Sequence, residues 1–475
     1  MEMANERIVI WQPGGAYPDP HLWLEPRSLL NIRFSAFEGL VRYDARRRLV
    51  PQLAENWEVS EDAKVWTFSL RKGVKFHDGS FLTAADAAAS IRHASGKDIP
   101  GALGTDALLY SYLGNAVVEA VDELRLRITL PEPMADLPDL LAYIMIIPER
   151  MIGAGPETIP GTGPFRYEGS NGKQYRFSCF ADHWAGSPEV KELVVVDEKD
   201  EQARIGALLS GKADLITEIQ GVNTTKIDAD DDCCVAEYES PVAVPLMLNC
   251  FSGPFSDVRI RQAVNYGTDV DEIIRKVRGG MAVPLPGPLS RNHFGVNPRL
   301  KPYPYDTKAA WDLLAEAGYP EGLEVTMYRP VISPDESAAL FRCIKQQWAR
   351  IGIKVHEAVQ EDRQQYALDV RAKKIHDLCI FDSAPLSTYR VLHEKLDSSY
   401  EGPWWEGYDS PAFNALMEKA AETADPKERE KIYRDAIEIV IEDAPWVFLY
   451  SPVFFSAARW DAMDNCPLLC QRIMN

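Results

Sequence analysis

The segment Lys64–Ala94 limits the possible folds more than any other part of the sequence. Apolar and polar residues alternate over Trp66–Arg71, which is the two-residue period of a strand with one buried face. Asp78-Gly79 follows as a turn pair suited to positive φ. Thr83 and Asp86 then stand at capping-box spacing before an alanine-rich run. Lys72-Gly73 interrupts the alternation before the Asp78-Gly79 turn, and Val74 and Phe76 resume it. The segment therefore predicts a strand, a turn, a second strand, a loop and a capped helix, which together make a folding unit and not an active site.

Several segments, spread in order over nearly the whole chain, resemble those of one protein family. Leu70–Asp86 (LRKGVKFHDGSFLTAAD) resembles the signature segment of the peptide/nickel/opine class of substrate-binding proteins that feed ABC importers. The other matching segments are Pro51–Trp57, Gly161–Phe165, Asp182–Trp184, Asp257–Val264 and Glu316–Tyr319. The resemblance implies an α/β, two-lobed fold of the periplasmic-binding-protein type (class II), with a small extra domain inserted in the first lobe. It also implies a chain that binds a solute without altering it.

Length and chain pattern suggest how the lobes divide the sequence. At 475 residues the chain is too long for one core, which favours two or three domains. We expect the first lobe at 1–43, 161–240 and 450–475, the inserted domain at 44–160, and the second lobe at 241–449. Ser240–Asn249 and Pro445–Pro452 are extended, proline-punctuated runs suited to two crossings between lobes. Two crossings permit hinge closure with little strain elsewhere.

Two distant segments follow the same plan. Arg204–Asp214 and Tyr366–Asp377 each predict a helix that ends in a short basic turn and an Asp, and a buried strand follows each of them. Two similar α/β lobes would leave such a repetition in a sequence. Because any αβ unit has this appearance, the repetition supports the two-lobed fold without establishing it.

The charge balance bears on partners and location. A net charge of −20 argues against nucleic acid or an anionic membrane surface as partner, since either would repel the chain. No apolar run approaches the roughly 20 residues of a spanning helix, and Ile8–Trp11 is too short for a signal-peptide core. The resemblance implies export, with the leader removed, to a periplasmic or membrane-associated extracellular location. A cytoplasmic copy stays open. We expect a monomer that partners a small-molecule ligand and ABC permease subunits.

Catalytic motifs are missing from the sequence. It contains no G-x-S-x-G elbow, P-loop, H-E-x-x-H or C-x-x-C pattern, and His77 beside a turn lacks the further ligands that a metal needs. We therefore expect no catalytic residue, no metal site and no cofactor. A glycoside or peptide hydrolase stays open as the alternative, because two catalytic carboxylates need be close only in space. A cytoplasmic ligand sensor on the same fold is a third interpretation.

The segment from Phe381 to Tyr408 is the strongest candidate for ligand contact. It begins at the carboxyl end of a predicted buried strand, where open α/β sheets bind ligands. Its candidate hydrogen-bonding residues are Asp382, Ser383, Ser387 and Thr388, and its candidate aromatic residues are Trp404, Trp405 and Tyr408. Two adjacent tryptophans cannot easily share one core, so we expect one to be buried and the other to offer a stacking face.

A second candidate lies in the first lobe. The loop Gly14–His21 follows the first predicted strand and cannot be helical, and we take Tyr17 and Asp19 as its ligand-contacting residues. A plain connection is the other interpretation of this loop.

The sequence leaves the ligand undetermined. Peptide binders of the family place a Trp and then an Asp shortly after the strand, and the Asp pairs with the peptide amine. Phe381–Pro385 does not reproduce that spacing. An oligopeptide, an opine or a sugar therefore stays open.

Overall fold

The computed structural model describes residues 6–17, 19–22, 27–44, 47–99, 108–332, 334, 336–383 and 385–465, which form two compact units. Unit 1 contains the described residues of Met1–Tyr238 and Phe454–Asn475, and unit 2 is Glu239–Val453. The chain passes between the units at 238/239 and 453/454, whereas we expected the passages at 240/241 and 449/450. The separate inserted domain at 44–160 stays a prediction. Residues 466–475 of the expected return segment lie outside the described residues.

Unit 1 contains short strands and helices in alternation. Its strands are β1 (Arg7–Gln12), β2 (Val41–Tyr43), β3 (Leu49–Pro51), β4 (Ala54–Val59), β5 (Val65–Leu70), β6 (Val117–Ala120), β7 (Arg125–Thr129), β8 (Phe165–Ser170), β9 (Gln174–Cys179), β10 (Glu192–Asp197), β11 (Leu215–Ile219) and β12 (Cys233–Glu239), which ends at the passage to unit 2. Its helices are α1 (Arg27–Ala36), α2 (Ala84–Ala94), α3 (Leu108–Leu113), α4 (Leu137–Leu141), α5 (Glu201–Leu209) and α6 (Thr224–Asp228).

The predicted folding unit at 64–94 is confirmed for its first strand and its capped helix, whereas the predicted second strand at Val74 and Phe76 is only an isolated bridge between Lys75 and Phe81. Strand β5 alternates between buried and half-buried residues, and Thr83 caps α2 with the reciprocal capping-box bonds to Asp86. His77 is buried, and its Nε2 lies 2.9 Å from the carbonyl oxygen of Gly163. The amide of Gly161 donates to its Nδ1 at 3.3 Å. The histidine therefore holds the returning chain in place, as its lack of further metal ligands led us to expect.

The described strands β1 to β11 of unit 1 belong to three sheets. The main sheet runs β11–β1–β10–β9–β8, with β1 parallel to β10 and to β11. Strands β4–β5–β7–β6 form a second, antiparallel sheet, and β2–β3 form a hairpin-like pair. The core of the unit packs Phe37 and Phe177 against Leu193.

Unit 2 continues the chain as follows. Its elements are β13 (Val244–Leu248), α7 (Val258–Tyr266), α8 (Val270–Arg278), β14 (Ala282–Pro284), α9 (Thr307–Glu316), β15 (Leu323–Pro330), α10 (Ser337–Ala349), β16 (Ile353–Gln360), α11 (Arg363–Arg371), β17 (Leu378–Ile380), α12 (Thr388–Leu396), α13 (Pro411–Glu422) and α14 (Pro426–Asp443). Strand β18 (Trp446–Arg459) begins in unit 2 and ends in unit 1, where α15 (Trp460–Asn465) follows.

The sheet of unit 2 runs β16–β15–β17–β13–β18, with β15 parallel to both β16 and β17. Its core packs the fully buried ring of Trp348 beside Phe255, 6.4 Å away between ring centroids. Because β15, β16 and β17 are parallel, their carboxyl ends meet at one edge of the sheet. The residues after Gln360 and Ile380 therefore lie at the edge where the sequence predicted ligand contact. Among the described residues, no helix is both long and apolar enough to cross a bilayer.

Candidate functional site

Asp382 lies directly beyond the carboxyl end of β17, where the sequence placed it. Its carboxylate oxygen Oδ1 is 3.5 Å from Nη2 of Arg363, and about a third of the side chain (34%) is exposed. Burial raises the pKa of Asp382 above its ordinary value, against the attraction of Arg363 and Lys395. The structure therefore places a carboxylate beside cationic side chains at this edge of the sheet.

Arg363 is the first residue of α11, and its guanidinium is held by aromatic rings. Its Cζ lies 5.5 Å from the ring centroid of Phe381 and 5.7 Å from that of Tyr366. Nε and Nη1 are buried and have no hydrogen-bond partner among the described residues. Unsatisfied buried donors are rare in folded proteins, and each one needs an explanation.

Phe381 forms the centre of a small aromatic and cationic group. Its ring lies 4.9 Å from that of Trp404, between centroids. Nζ of the buried Lys395 lies 5.2 Å from the Phe381 ring and 5.5 Å from the Trp404 ring. We call Arg363, Phe381, Asp382, Lys395 and Trp404 the β17-edge cluster. It combines flat apolar faces with charged groups, as ligand sites commonly do.

The other predicted polar residues of this segment already serve the fold. Ser387 is the N-cap of α12 and accepts from the amide of Arg390, while the Thr388 hydroxyl donates to the carbonyl oxygen of Phe294 at 2.7 Å. Ser383 exchanges two backbone hydrogen bonds of 2.8 Å with Ala243. Its hydroxyl is buried with no partner among the described residues. Ser387 and Thr388 therefore hold the segment through their side chains and Ser383 through its backbone, and the ligand role of all three stays a prediction.

The two tryptophans differ from the expected pair of one buried and one open ring, because both are partly exposed. Trp404 belongs to the β17-edge cluster. Trp405 donates from Nε1 to the carbonyl oxygen of Tyr408 at 2.6 Å, and its ring meets Phe251 edge-on at 5.0 Å. Tyr408 is buried, and its hydroxyl donates to Asp443 at 2.7 Å. Trp405 and Tyr408 therefore pack and bond within unit 2.

The candidates of the first lobe lie in unit 1. Tyr17 stacks on Tyr167 with ring centroids 3.8 Å apart and planes 7° apart, and burial raises its pKa. Asp19 accepts from the backbone amide of His21 at 2.8 Å. The His21 ring in turn bonds to the carbonyl oxygen of Met145 at 3.0 Å. Tyr17 and Asp19 each have a defined partner in unit 1, and their ligand role stays a prediction.

Glu406 is a buried carboxyl group that the sequence did not single out. Both of its carboxyl oxygens are buried and have no hydrogen-bond partner among the described residues. Burial raises the pKa of Glu406 to about 8, although Lys373 and Lys395 favour its ionised form. Lys373 itself donates to the carbonyl oxygens of Gly402 and Pro403, at 3.3 and 3.2 Å. Glu406 is thus a buried carboxyl group in the same loop as Trp404, near two lysines.

Sequence reasoning missed Arg363, Phe381 and Lys395 as members of the site. One signal for Arg363 was available, since Asp362-Arg363 directly follows a strand and opens a helix. For Lys395 no such signal existed. It occupies a helix position that is 4% exposed, and only the tertiary structure shows which rings it faces. Among the described residues, no three His, Cys, Asp or Glu side chains are grouped to hold a metal ion.

Comparisons with known proteins agree with this fold. The family model of bacterial extracellular solute-binding proteins, family 5 (middle region), matches residues 48–387, well over half of the chain. A glutathione-binding protein of Pectobacterium atrosepticum is 28% identical over 444 residues, which cover 89% of this chain and 84% of that protein. A heme-binding protein of Haemophilus influenzae is 29% identical over 435 residues, which cover 86% of this chain and 79% of that protein.

Solved structures show the same architecture. HbpA2 from Haemophilus parasuis matches with a TM-score of 0.84 at 24% identity, covering 95% of both chains. The ABC transporter-associated periplasmic binding protein DppA from Helicobacter pylori, in complex with the peptide STSA, matches with a TM-score of 0.75 at 25% identity. That match covers 95% of this chain and 94% of DppA. The chain therefore belongs to the bacterial extracellular solute-binding proteins of family 5, with their two-lobed fold, and is the solute-binding component of an ABC-type importer.

Proposed function

We propose that the chain captures an oligopeptide, an opine or a similar small charged solute at the β17-edge cluster, closes about its hinge and delivers the solute to a membrane permease. The observation that carries this proposal is the convergence of Phe381 and Trp404 with Arg363, Asp382 and Lys395 at the carboxyl ends of parallel strands. Aromatic faces supply contact area, while the charged groups orient a polar solute.

The ligands named for the relatives support the proposal of a charged solute. Their names include glutathione-binding and heme-binding proteins, and one solved relative holds a peptide. An oligosaccharide, which could also stack on Trp404, is the second candidate, favoured by the partly exposed ring. The charges of Arg363, Asp382 and Lys395 favour an ionic solute over a neutral sugar, because charged groups of the solute can interact with them when water is displaced.

The proposal includes binding without chemical change. Within the part of the chain that the structure describes, Ser290 and His293 form a contact that resembles a nucleophile and its base, with Oγ 3.0 Å from Nδ1. Ser290 is fully buried, so a substrate carbonyl has no access to its oxygen. Nε2 of His293 lies 2.9 Å from the carbonyl oxygen of Pro385, within the ligand-facing segment. The pair therefore supports the segment and leaves the solute intact.

Location and partners complete the proposal. We place the protein in the periplasm or at the outer face of a membrane, as a monomer that does not bind nucleic acid. The net charge of −20 supports the last point. Size-exclusion chromatography with light scattering would test the monomer.

The experiment that tests the function is recovery of the solute from the protein itself. The protein is purified from its native source under mild conditions and analysed by native mass spectrometry, and then the released solute is identified after unfolding. We expect one intact peptide-like or opine-like solute per chain. Recovery of a neutral sugar would favour the second candidate, and recovery of a cleaved product would contradict binding without chemical change.

A further inference from the structure

A cavity of about 320 Å³ lies over one face of the main sheet of unit 1. Its floor is formed by Val9, Val194 and Val196, and the half-buried ring of Trp11 packs against these valines. The described lining residues all belong to unit 1, so the cavity shares no residue with the β17-edge cluster of unit 2. Its volume is within the range of small-molecule sites. We call it the β1–β10 cavity.

The strand register explains why charged side chains surround this apolar floor. Directly paired residues of neighbouring strands lie on the same face of a sheet. Val194 of β10 pairs with Val9 of β1 on one side and with Arg176 of β9 on the other. Arg7 of β1 and Glu192 of β10 form a pair nearer the start of both strands. The other face of these strands packs into the core of the unit, so this face is the one that meets solvent.

Three cationic side chains at the β1–β10 cavity have no counter-ion in the described protein. Arg7 and Arg176 are exposed, and so is Lys212, which lies in the turn after α5. None of the three side chains forms a hydrogen bond or an ion pair with another described residue. Glu192 is the one carboxylate among the described lining residues, and it forms no ion pair with either arginine. The cavity therefore has an excess of positive charge, in a chain whose net charge is −20.

The space beside the cavity does not have this excess. A second cavity of about 690 Å³ shares Arg7, Val9 and Lys212 with the first. Its other charged lining residues are one cation and three carboxylates, namely Arg459, Glu6, Asp214 and Asp461. These carboxylates offset the cations there. An anion is therefore attracted to the valine floor more than to the adjoining space, because charges act mainly at short range in salt solution.

We infer that the β1–β10 cavity binds a small aromatic monocarboxylate, which is a second site beyond the proposed solute capture. The carboxylate lies among Arg7, Arg176 and Lys212, whose like charges repel one another until an anion comes between them. The flat ring lies on the valine floor beside Trp11, where it gains apolar contact. An inorganic anion leaves that floor unused, and a neutral ring leaves the three cations unpaired.

Fluorine NMR of the full chain labelled with 5-fluorotryptophan tests the inference, because Trp11 lines the cavity. The Trp11 resonance is assigned with Trp11→Phe, and benzoate, its neutral analogue benzamide and inorganic phosphate are then titrated separately. We expect a saturable shift of the Trp11 resonance with benzoate and none with phosphate. Benzamide should bind about 10-fold more weakly than benzoate, since it lacks the charge that strengthens the hydrogen bonds.

Three variants locate the charge selection. Arg176→Gln and Lys212→Gln each remove one exposed cation of the cavity, and each should weaken benzoate binding by about 3- to 10-fold while benzamide binding stays unchanged. Lys199→Gln is the matched control, because it removes an exposed lysine of the same unit that does not line the cavity. It should bind benzoate as the wild type does. Circular dichroism verifies that each variant is folded.

Four results would overturn the inference. They are a Trp11 resonance that benzoate does not move at millimolar concentration, equal binding of benzoate and benzamide, equal binding of phosphate and benzoate, and a full benzoate preference in the double variant Arg176→Gln with Lys212→Gln. Each of them leaves the proposed solute capture standing, because that function depends on residues of unit 2.

Discussion

The two units contain the same helix–Asp–strand arrangement, and in each the Asp does the same work. Asp214, between α5 and β11, accepts from the amide of Val9 in the neighbouring parallel strand at 2.7 Å. Asp377, between α11 and β17, accepts from the amide of Thr326 in its neighbouring parallel strand, also at 2.7 Å. Both residues also donate their own amide to the carbonyl oxygen of that same strand residue. The repetition visible in the sequence is therefore a shared structural device.

The two arrangements differ at the first residue of the helix. In unit 1 this residue is Glu201, whose carboxylate accepts from the amide of Gln220 at 2.9 Å and from Asn223 at 2.8 Å. These two hydrogen bonds hold the loop after β11 against helix α5. In unit 2 the same position is Arg363, whose Nε and Nη1 have no partner among the described residues, and the loop after β17 carries Asp382. Equivalent positions in one arrangement thus serve the fold in unit 1 and, in our proposal, the ligand in unit 2.

The largest expected effect concerns the hydrogen bond that Asp214 and Asp377 each accept from the neighbouring strand. Asp377→Ala and Asp214→Ala each leave a strand amide without its acceptor, so each should lower the free energy of unfolding by about 2–3 kcal/mol. Urea denaturation measures the loss. The Asp→Asn variants keep an acceptor oxygen and should cost less. A loss in one variant with no change in the other would show that the two aspartates are not equivalent.

The two adjacent tryptophans sharpen the functional side of the comparison. Trp404→Ala should weaken solute binding by about 1–3 kcal/mol, because its ring belongs to the β17-edge cluster. Trp405→Ala should leave affinity nearly unchanged and lower stability instead, since its Nε1 bond to Tyr408 and its contact with Phe251 are lost. Titration calorimetry measures the change in affinity, and thermal unfolding measures the change in stability. Unchanged affinity in both folded variants would remove the stacking role.

Glu406 gives a pH-dependent prediction for unit 2. Its folded pKa of about 8 lies above the ordinary value, so its contribution to stability is complete at low pH and is lost as pH rises toward 8. The stability of the wild type minus that of Glu406→Gln should therefore fall by up to about 1.4 kcal/mol per pH unit between pH 5 and pH 8 and level off above about pH 9. Denaturation curves at several pH values measure it. A flat difference would mean that Glu406 is ionised throughout.

The smallest effect concerns the turn before each aspartate. In unit 1 the left-handed residue after the helix is Gly211 (φ 71°), and in unit 2 it is Lys373 (φ 62°), with His376 (φ 57°) as a second left-handed residue before Asp377. Gly211→Ala should cost about 1 kcal/mol, because a Cβ disfavours this conformation even though space is available. Gly206→Ala, inside the same helix α5, is the control and should stabilise by about 0.5–1 kcal/mol. Equal signs for the two changes, measured by thermal unfolding, would contradict the assignment.

Local patterns in the sequence predicted most of the fold. The capping box of Thr83, the alternation in β5 and the two aspartate-terminated turns depend on residues close in the chain, and each occurs where it was predicted. Trp404 and Asp382 were also predicted for the site, from their position after a buried strand. Their proximity through Phe381 requires the chain to return to the strand after more than 20 residues that include helix α12, and no local pattern encodes this return.

The remaining members of the site escaped prediction for the same physical reason. Lys395 is a buried helix residue, and a sequence gives such a lysine no distinguishing mark. Ser387 and Thr388, by contrast, were expected to face the ligand because their hydroxyls lie in a non-periodic loop. Their hydroxyls instead cap a helix and bond to Phe294. Whether a hydroxyl is already used inside the fold depends on contacts between distant segments.

The most direct test follows both tryptophans in one titration. The protein is labelled with 5-fluorotryptophan, the fluorine resonances of Trp404 and Trp405 are assigned with Phe variants, and the solute recovered from the native protein is added stepwise. The account predicts that the Trp404 resonance shifts saturably while the Trp405 resonance stays in place. A saturable shift of Trp405 with Trp404 unchanged, or binding that moves neither resonance, would contradict the assignment of the solute to the β17-edge cluster.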